Sequence, residues 1–430
     1  MKISTFIHVI SETEIWNAIE KKLIVLDNQI IKYIADNKTN TILKNIPPIL
    51  IELGIAITKK AEQEVIEGLI EQTTDFQFQS LFLITTTECN LDCDYCFYRS
   101  SVSESLKQRR MMTFETAKTS IDRFYEIVSA NKVSPNYWQQ ITFYGGEPLL
   151  NKELLTKAIP YAKQKFNDGY TSFVINTNLT ILDDEIIELL RDNNIEVQVS
   201  IDGSKEIHDQ YRKTQNGFGS YDIVINNIKK MLKNGIKVMP MITATNLNVL
   251  NLSEVILNIV NETGIDDYAV NVLITDSFVI DDEYTTLLSE QMIKAYEEFG
   301  NIAYDYSFVD LYNLLIGKDV RIVRNSCGST RKISVFPNGK SYSCQALQKL
   351  AINSMGTIEE DIISNPNWDI WRSRNRFNNE ECLKCVAVAS CGGGCATGSY
   401  NATGSITGID TNNCEYTKKL FKQLVFRNKG

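Results

Sequence analysis

Histidine is nearly missing from this chain: only His8 and His208 occur in 430 residues. That scarcity speaks against zinc sites of mixed cysteine and histidine. His208, in the stretch EIHDQYR, reads as a surface or capping residue. No run reaches the roughly 18 apolar residues that a membrane span needs. The most apolar stretch, IPPILIELGIAI at 46–57, contains Glu52. The opening MKISTFIHVISETE has one lysine, a short apolar run and no small-residue cleavage site. It is not read as a signal peptide, so a cytoplasmic protein is expected, and sequons such as NLT at 178–180 are chance matches. Long Lys/Arg runs are absent too, and the net charge is −9. An acidic chain is poorly suited to binding phosphate backbones, so neither nucleic acid nor membrane is an expected partner.

Cysteine, by contrast, is abundant, with ten residues. In a reducing compartment cysteines rarely mean disulfides and more often mean metal. At roughly 150 residues per domain the length allows about two to four domains. Neither an internal repeat nor a low-complexity tract is present.

Residues 1–78 read as a separate unit. STFIHVI and KKLIVLD look like short strands. NQIIKYIADN and ILKNIPPILIELG look like helices, the second broken by Pro47 and Pro48. AEQEVIEGLIEQ supplies a third helix. Small strands with three helices suggest a winged-helix-like module.

From residue 79 to 318 apolar strands alternate with amphipathic helices. The strands are LFLITTT, QQITFYG, SFVINTN, EVQVSID, KVMPMITAT and YAVNVLIT. This predicts an α/β fold of right-handed βαβ units on a parallel sheet, six of which would make a partial (β/α)6 barrel. Ligands bind at the carboxyl ends of such strands. From residue 319 to 430 the alternation gives way to cysteine, glycine and asparagine. FPNGKSYSC there reads as a hairpin turning at Asn338 and Gly339, and EYTKKLFKQLVF as a last helix. So small a core needs staples.

ECNLDCDYCFY places Cys89, Cys93 and Cys96 just after the first of these strands. Three thiolates on one tight loop suit three corners of a 4Fe-4S cube. The open fourth position marks a catalytic rather than a structural site. A zinc site with a distant fourth ligand is the bland alternative. The spacing resembles that of the radical S-adenosylmethionine (radical SAM) superfamily. In that family the three cysteines hold the cluster, and the amine and carboxylate of SAM chelate the unique iron. Tyr95 matches an aromatic position near the adenine. FYGGEPLL gives Gly145, Gly146 and Glu147, the segment that meets the methionine amine. INTNLT gives Thr177 and Asn178, with Leu179 where relatives often have glycine. VSIDGSKEIHDQYR gives Ser200, Asp202 and Arg212, which the resemblance assigns to the ribose and carboxylate of SAM. The implied chemistry is hydrogen abstraction by a 5′-deoxyadenosyl radical in an anaerobic enzyme.

Cys327, Cys344, Cys382, Cys385, Cys391, Cys395 and Cys414 resemble the seven-cysteine SPASM pattern. That resemblance implies two auxiliary 4Fe-4S clusters, making three in all with SAM as the further cofactor. Cys382, Cys385, Cys391 and Cys414 would hold the distal one. Cys327, Cys344 and Cys395 would hold the inner one, one ligand short. Sulfatase-maturing relatives fill that place where Ile333 stands, and carry an aspartate base where Gln345 stands. The resemblance therefore implies a maturase of a ribosomally made peptide. It would form a crosslink, either a thioether, slightly favoured, or a carbon–carbon bond. Residues 1–78 would bind the leader, and a flavodoxin or ferredoxin would supply electrons. Oxidation of a protein residue is the alternative, and a non-catalytic zinc scaffold the remote one.

Overall fold

The computed structural model describes every residue except 41, 75–76, 97–110, 131–137, 168, 273–279, 301, 304–312, 314–321, 323–326 and 428–430. The chain divides into two compact units. One holds residues 1–75, 306–327 and 372–430; the other holds 76–305 and 328–371.

In the first unit, β1 (Lys2–Ile3) precedes the antiparallel meander of β2 (Ile7–Ser11), β3 (Glu14–Asn17) and β4 (Lys22–Val25). Helix α1 (Asn28–Asn37) begins where the Asp27 carboxylate accepts the Gln29 N–H, satisfying one of the open donors of a first turn. The paired prolines leave only Pro48–Glu52 helical, as α2, with Pro48 in its first turn. Strand β5 (Ala56–Ile57) pairs antiparallel with β1, and α3 (Lys59–Thr74) follows. Ile3, Ile7, Ile15, Ile31, Ile34 and Leu50 form the buried centre.

The second unit carries the alternation. Its strands are β6 (Ser80–Thr86), β7 (Gln139–Gly145), β8 (Thr171–Thr177), β9 (Glu196–Ser200), β10 (Val238–Ala244), β11 (Tyr268–Val272) and β12 (Ile302–Ala303). Between them run α4 (Phe114–Ala130), α5 (Lys152–Lys165), α6 (Asp184–Asp192), α7 (Lys205–Tyr211), α8 (Tyr221–Lys233), α9 (Leu252–Thr263) and α10 (Asp282–Phe299). All seven strands are parallel and stand in chain order. Two-residue β12 extends the row past the six strands expected, and it is too short to show any alternation. One face of the sheet, with Leu83, Phe143, Ile175, Val197 and Ile242, is fully buried. The opposite face, with Phe82, Tyr144, Asn176, Ser200 and Met241, is half-open and more polar.

Strand β13 (Lys332–Val335) lies parallel to β6, with Lys332 opposite Ser80. Gly339, at φ 80°, turns the chain into β14 (Lys340–Tyr342), and β15 (Ser354–Thr357) closes the sheet edge. Residues 328–371 therefore belong with the sheet rather than with the cysteine-rich tail expected from 319 onward. Helix α11 (Asn367–Ser373) follows.

The tail itself, with α12 (Glu380–Leu383), α13 (Ala396–Thr403) and α14 (Thr411–Arg427), groups with the N-terminal segment. The Trp16 indole N–H donates to the Val386 carbonyl at 2.9 Å, and its ring meets Phe421 edge-on at 5.4 Å. Asn375 donates to the Thr73 hydroxyl at 2.7 Å. Residues 1–78 are thus not a free-standing module.

Candidate active site and cysteine centres

The loop after β6 is clamped on both sides. Gly146 N–H donates to the Thr86 carbonyl at 2.9 Å and Glu147 N–H to the Glu88 carbonyl at 2.8 Å. On the other side, Asp92 N–H donates to the Lys213 carbonyl at 2.7 Å, and the Gln215 amide to the Cys89 carbonyl at 3.0 Å. Cys96 N–H closes a turn onto the Cys93 carbonyl at 3.2 Å. Leu91 N–H points at the Cys89 sulfur at 3.5 Å, and the Asn178 amide at 3.7 Å. Burial pushes the Cys89 thiol up to about 11 and the Cys93 thiol up to about 12.

Glu147 is wholly buried. Its carboxylate accepts the Thr177 hydroxyl at 2.6 Å, the Asn178 N–H at 2.7 Å and the Leu149 N–H at 3.1 Å. The turn after β7 and the end of β8 are thereby locked together. Burial raises Glu147 to about 7, despite these three donors. Leu179, fully buried, takes the left-handed conformation at φ 51°. The backbone path that glycine would favour is kept, with strain. The Asn227 amide secures it by donating to the Leu179 carbonyl at 2.9 Å.

Tyr95, Asp202 and Arg212 form one buried network. Arg212 Nε donates to Asp202 Oδ2 at 2.7 Å, and the Tyr95 hydroxyl donates to the same oxygen. The guanidinium lies 5.3 Å from the centre of the Tyr95 ring. Thr243 N–H adds a bond to Asp202 Oδ1 at 3.0 Å. Burial disfavours the Asp202 carboxylate, but the Arg212 charge and hydrogen bonds outweigh it and hold the group below its ordinary range. Ser200 ends β9 on the half-open face.

His208 is not the surface residue expected. It is fully buried, with Nε2 2.9 Å from the Ser220 hydroxyl. Ser220 donates to the Arg212 carbonyl at 2.8 Å, so the imidazole must supply the proton between them. Its Nδ1 is then left to accept, facing Asp202 N–H at 3.5 Å. Burial lowers His208 to about 4 and keeps it neutral. The apolar face of the short helix α7 draws it inward, which a seven-residue element hides in sequence.

In the first unit, Cys382, Cys385, Cys391 and Cys414 line one open cavity of about 740 Å³, mouth included. The Asn413 amide lies 3.7 Å from the Cys391 sulfur. Gly392, Gly393 and Gly394 all have positive φ, from 65° to 88°, which is what glycine tolerates. They carry the chain from Cys391 to Cys395. There Asp410 Oδ2 accepts the Cys395 N–H at 2.9 Å, and a Cβ on Gly394 or Gly398 would collide with the Asp410 side chain. Cys395 and Cys327 belong to this unit, and Cys344 to the sheet unit. None of the ten cysteines is in a disulfide.

The family model described as the radical SAM superfamily matches residues 83–259. The radical SAM cyclopropyl synthase TigE of Paramaledivibacter caminithermalis is 24% identical over 371 residues, covering 83% of this chain and 76% of TigE. The cysteine-type anaerobic sulfatase-maturating enzyme of Clostridium perfringens (strain 13 / Type A) is 25% identical, covering 71% and 85%. Among solved structures, native anSMEcpe with bound AdoMet matches with a TM-score of 0.67 at 21% identity, covering 81% and 97%. Streptococcus suis SuiB bound to S-adenosylmethionine matches with a TM-score of 0.57 at 16% identity, covering 96% and 100%.

This chain carries a radical SAM domain.

The residues of this domain fit the group that the matched family model implies. Three thiols share a loop, and the Cys89 sulfur faces the Leu91 N–H and the Asn178 amide, an arrangement suited to thiolate ligands of iron–sulfur clusters. Among the described residues no three His, Cys, Asp or Glu side chains close on a point fit for a single metal ion. Thiols that each take a separate iron of one cube need no such point. Sequence reasoning missed Asn90, which accepts the Asn178 amide at 3.0 Å and donates to the Thr180 hydroxyl at 2.7 Å. It also missed buried Arg374 and Arg376 beside the distal thiols. The charge-dense RSRNRF ahead of CLKC was the available signal.

Proposed function

We propose that this radical SAM enzyme matures a ribosomally made peptide by forming a new bond within it, with loss of two hydrogens. The observation that carries this reading is the TigE alignment, which extends far beyond residues 83–259 to 83% of the chain. The fold of SuiB, solved also with its precursor peptide SuiA, points the same way. The count of inner cysteines, one short of four, favours a thioether. The relative named a cyclopropyl synthase favours a carbon–carbon bond.

In this reading Cys89, Cys93 and Cys96 hold a 4Fe-4S cluster beside SAM, which together supply one-electron cleavage of the sulfonium and hydrogen-atom abstraction. Gly145 and Gly146 let the cysteine loop lie against the turn after β7. Glu147 fixes Thr177 and Asn178 through two of its roughly four acceptor sites, and Leu149 N–H takes a third. Tyr95, Asp202 and Arg212 form a rigid wall, and Ser200 faces the open side. Cys382, Cys385, Cys391 and Cys414 hold a distal cluster, and Cys327, Cys344 and Cys395 an inner one. A low-potential flavodoxin or ferredoxin supplies electrons in the cytoplasm. No described helix is long and apolar enough to cross a membrane. The winged-helix-like part recognises the leader, which adds as a strand to edge strand β4, where Leu23 and Val25 are exposed.

Residue oxidation of the sulfatase-maturing kind is the second reading, favoured by the Clostridium relative. Against it, Gln345 accepts the Lys332 ammonium at 2.6 Å where an aspartate base would stand. Anaerobic incubation with SAM, dithionite and the small peptide encoded beside the gene tests both. A product lighter by two hydrogens after treatment with a disulfide reductant supports bond formation, and loss of iodoacetamide labelling in that reduced product identifies a thioether. An unmodified peptide alongside an oxidised sulfatase peptide would replace the first reading by the second.

A further inference from the structure

We propose that Arg376 raises the reduction potential of the group held by Cys382, Cys385, Cys391 and Cys414. This distal centre would then accept an electron more readily than it would without that charge. The inference rests on the reading above that those four thiols hold a 4Fe-4S cluster.

Arg376 is 5% exposed and lines the same cavity as the four thiols. Its Nε–H donates to the Val388 carbonyl and its Nη2 to the Ala389 carbonyl at 3.4 Å. Both carbonyls lie between the ligands Cys385 and Cys391. The guanidinium also stacks 4.4 Å from the centre of the Phe377 ring. A head group held this way cannot swing out to water, and a guanidinium stays charged. The group is thereby fixed at the wall of the cavity that Cys382, Cys385, Cys391 and Cys414 line.

The other cations of the cavity are balanced differently. Arg374 donates to the Ile406, Gly393 and Gly394 carbonyls at 2.7–2.8 Å, and its charge acts on buried Asp410. Lys418 reaches both the Glu415 carboxylate, at 3.0 Å, and the Cys414 thiol, but it does so from the exposed side, where water screens its charge. Arg376 is thus a buried cation of the thiol-lined cavity, held on carbonyls of the segment between Cys385 and Cys391. Each electron added makes a cluster one unit more negative. A fixed positive charge in a water-poor site stabilises that extra charge strongly. Net charge and burial are among the factors that set iron–sulfur potentials.

The test is a redox titration followed by electron paramagnetic resonance on the full chain carrying Cys89→Ala, Cys93→Ala and Cys96→Ala. The distal signal is the one that Cys382→Ala removes. If Cys382→Ala removes no iron and no signal, the cluster reading fails before Arg376 is tested. In that background Arg376→Gln and Arg376→Met should keep the distal iron and lower the midpoint. A tenfold change in the reduction equilibrium, 59 mV for one electron, is the size expected. Arg376→Lys should stay near the parent. An unchanged midpoint in either neutral variant with full iron would overturn the proposal. Loss of the distal iron in both would overturn it too, because Arg376 would then only brace the loop.

Discussion

The Cβ that any side chain would place on Gly146 falls 2.1 Å from the carbonyl oxygen of Glu88, closer than real Cβ atoms come. The turn after β7 and the cysteine loop after β6 are therefore in backbone contact, and neither can move alone. Gly146→Ala should push the loop outward and cost about 1–3 kcal/mol of stability as an overpacking change. Reconstituted protein should hold about four fewer irons, as loss of one 4Fe-4S cluster requires. An alanine variant with full iron and unchanged SAM cleavage would show that the loop has another resting place.

Glu147 gives a pH dependence of defined sign. Its ordinary value near 4.5 rises to about 7 in the fold because it is buried. The native form therefore holds the proton more tightly than the unfolded chain. The stability this contributes is complete below about pH 4.5 and is lost as pH rises to 7, by about 3 kcal/mol in all. Urea unfolding of the cluster-free protein should show this fall, and Glu147→Gln should flatten it. A variant with the same slope as the parent would assign the dependence to another group.

Much of this architecture was open to a reader of the sequence, and the failures have physical causes. The strands β6 to β11 declared themselves because one face of each packs fully buried aliphatic residues. The hairpin of β13 and β14 was readable from its Asn338–Gly339 turn, but the parallel pairing of β13 with β6, some 250 residues earlier, was not. The same long-range pairing moved residues 328–371 into the sheet unit. Trp16 and Phe421 meet across the length of the chain, so the N-terminal segment looked separate. The thiols of the distal cavity were readable from spacing, whereas Arg376 was not, because burial of an arginine is decided by carbonyls that only folding presents.

Leu179 offers a comparison in which the smaller side chain wins. A fully buried leucine shortened to alanine leaves a cavity, at about 2–5 kcal/mol. Here alanine would also keep the strain of φ 51°. Glycine leaves a slightly larger void but relieves about 1 kcal/mol of left-handed strain. Leu179→Gly should therefore be the less destabilised of the two by roughly that amount, the reverse of the usual order inside regular structure. Chemical denaturation of both variants decides it. A more stable alanine variant would mean that the backbone relaxes out of the left-handed region.

Arg212 and Asp202 should behave as one unit. Removing the guanidinium in Arg212→Met strands a wholly buried carboxylate and should cost about 3–5 kcal/mol. Asp202→Asn in the same protein removes the stranded charge and should restore a large part of that loss. Tyr95 and Thr243 still have an oxygen to donate to. A double-mutant cycle measures the coupling. Additive effects would mean that water reaches Asp202 and that the pair is not a closed wall.

Trp16 tests whether the N-terminal segment and the cysteine-rich tail fold as one body. Phenylalanine at this position keeps the ring against Phe421 but leaves the Val386 carbonyl without the indole donor. That should cost about 1 kcal/mol. Trp16→Ala removes the ring as well and should cost about 3–5 kcal/mol. Val386 follows Cys385 directly, so the loss should also appear locally, as faster chelator removal of the iron that Cys382→Ala abolishes. Hydrogen exchange should quicken at residues 382–391 in the alanine variant. If Trp16→Ala loosens only residues 1–74 and leaves both readouts at 382–391 unchanged, the two segments are neighbours without mutual support. In that case deletion of residues 1–75 would be tolerated, whereas the Trp16 contacts make that deletion destructive to the tail.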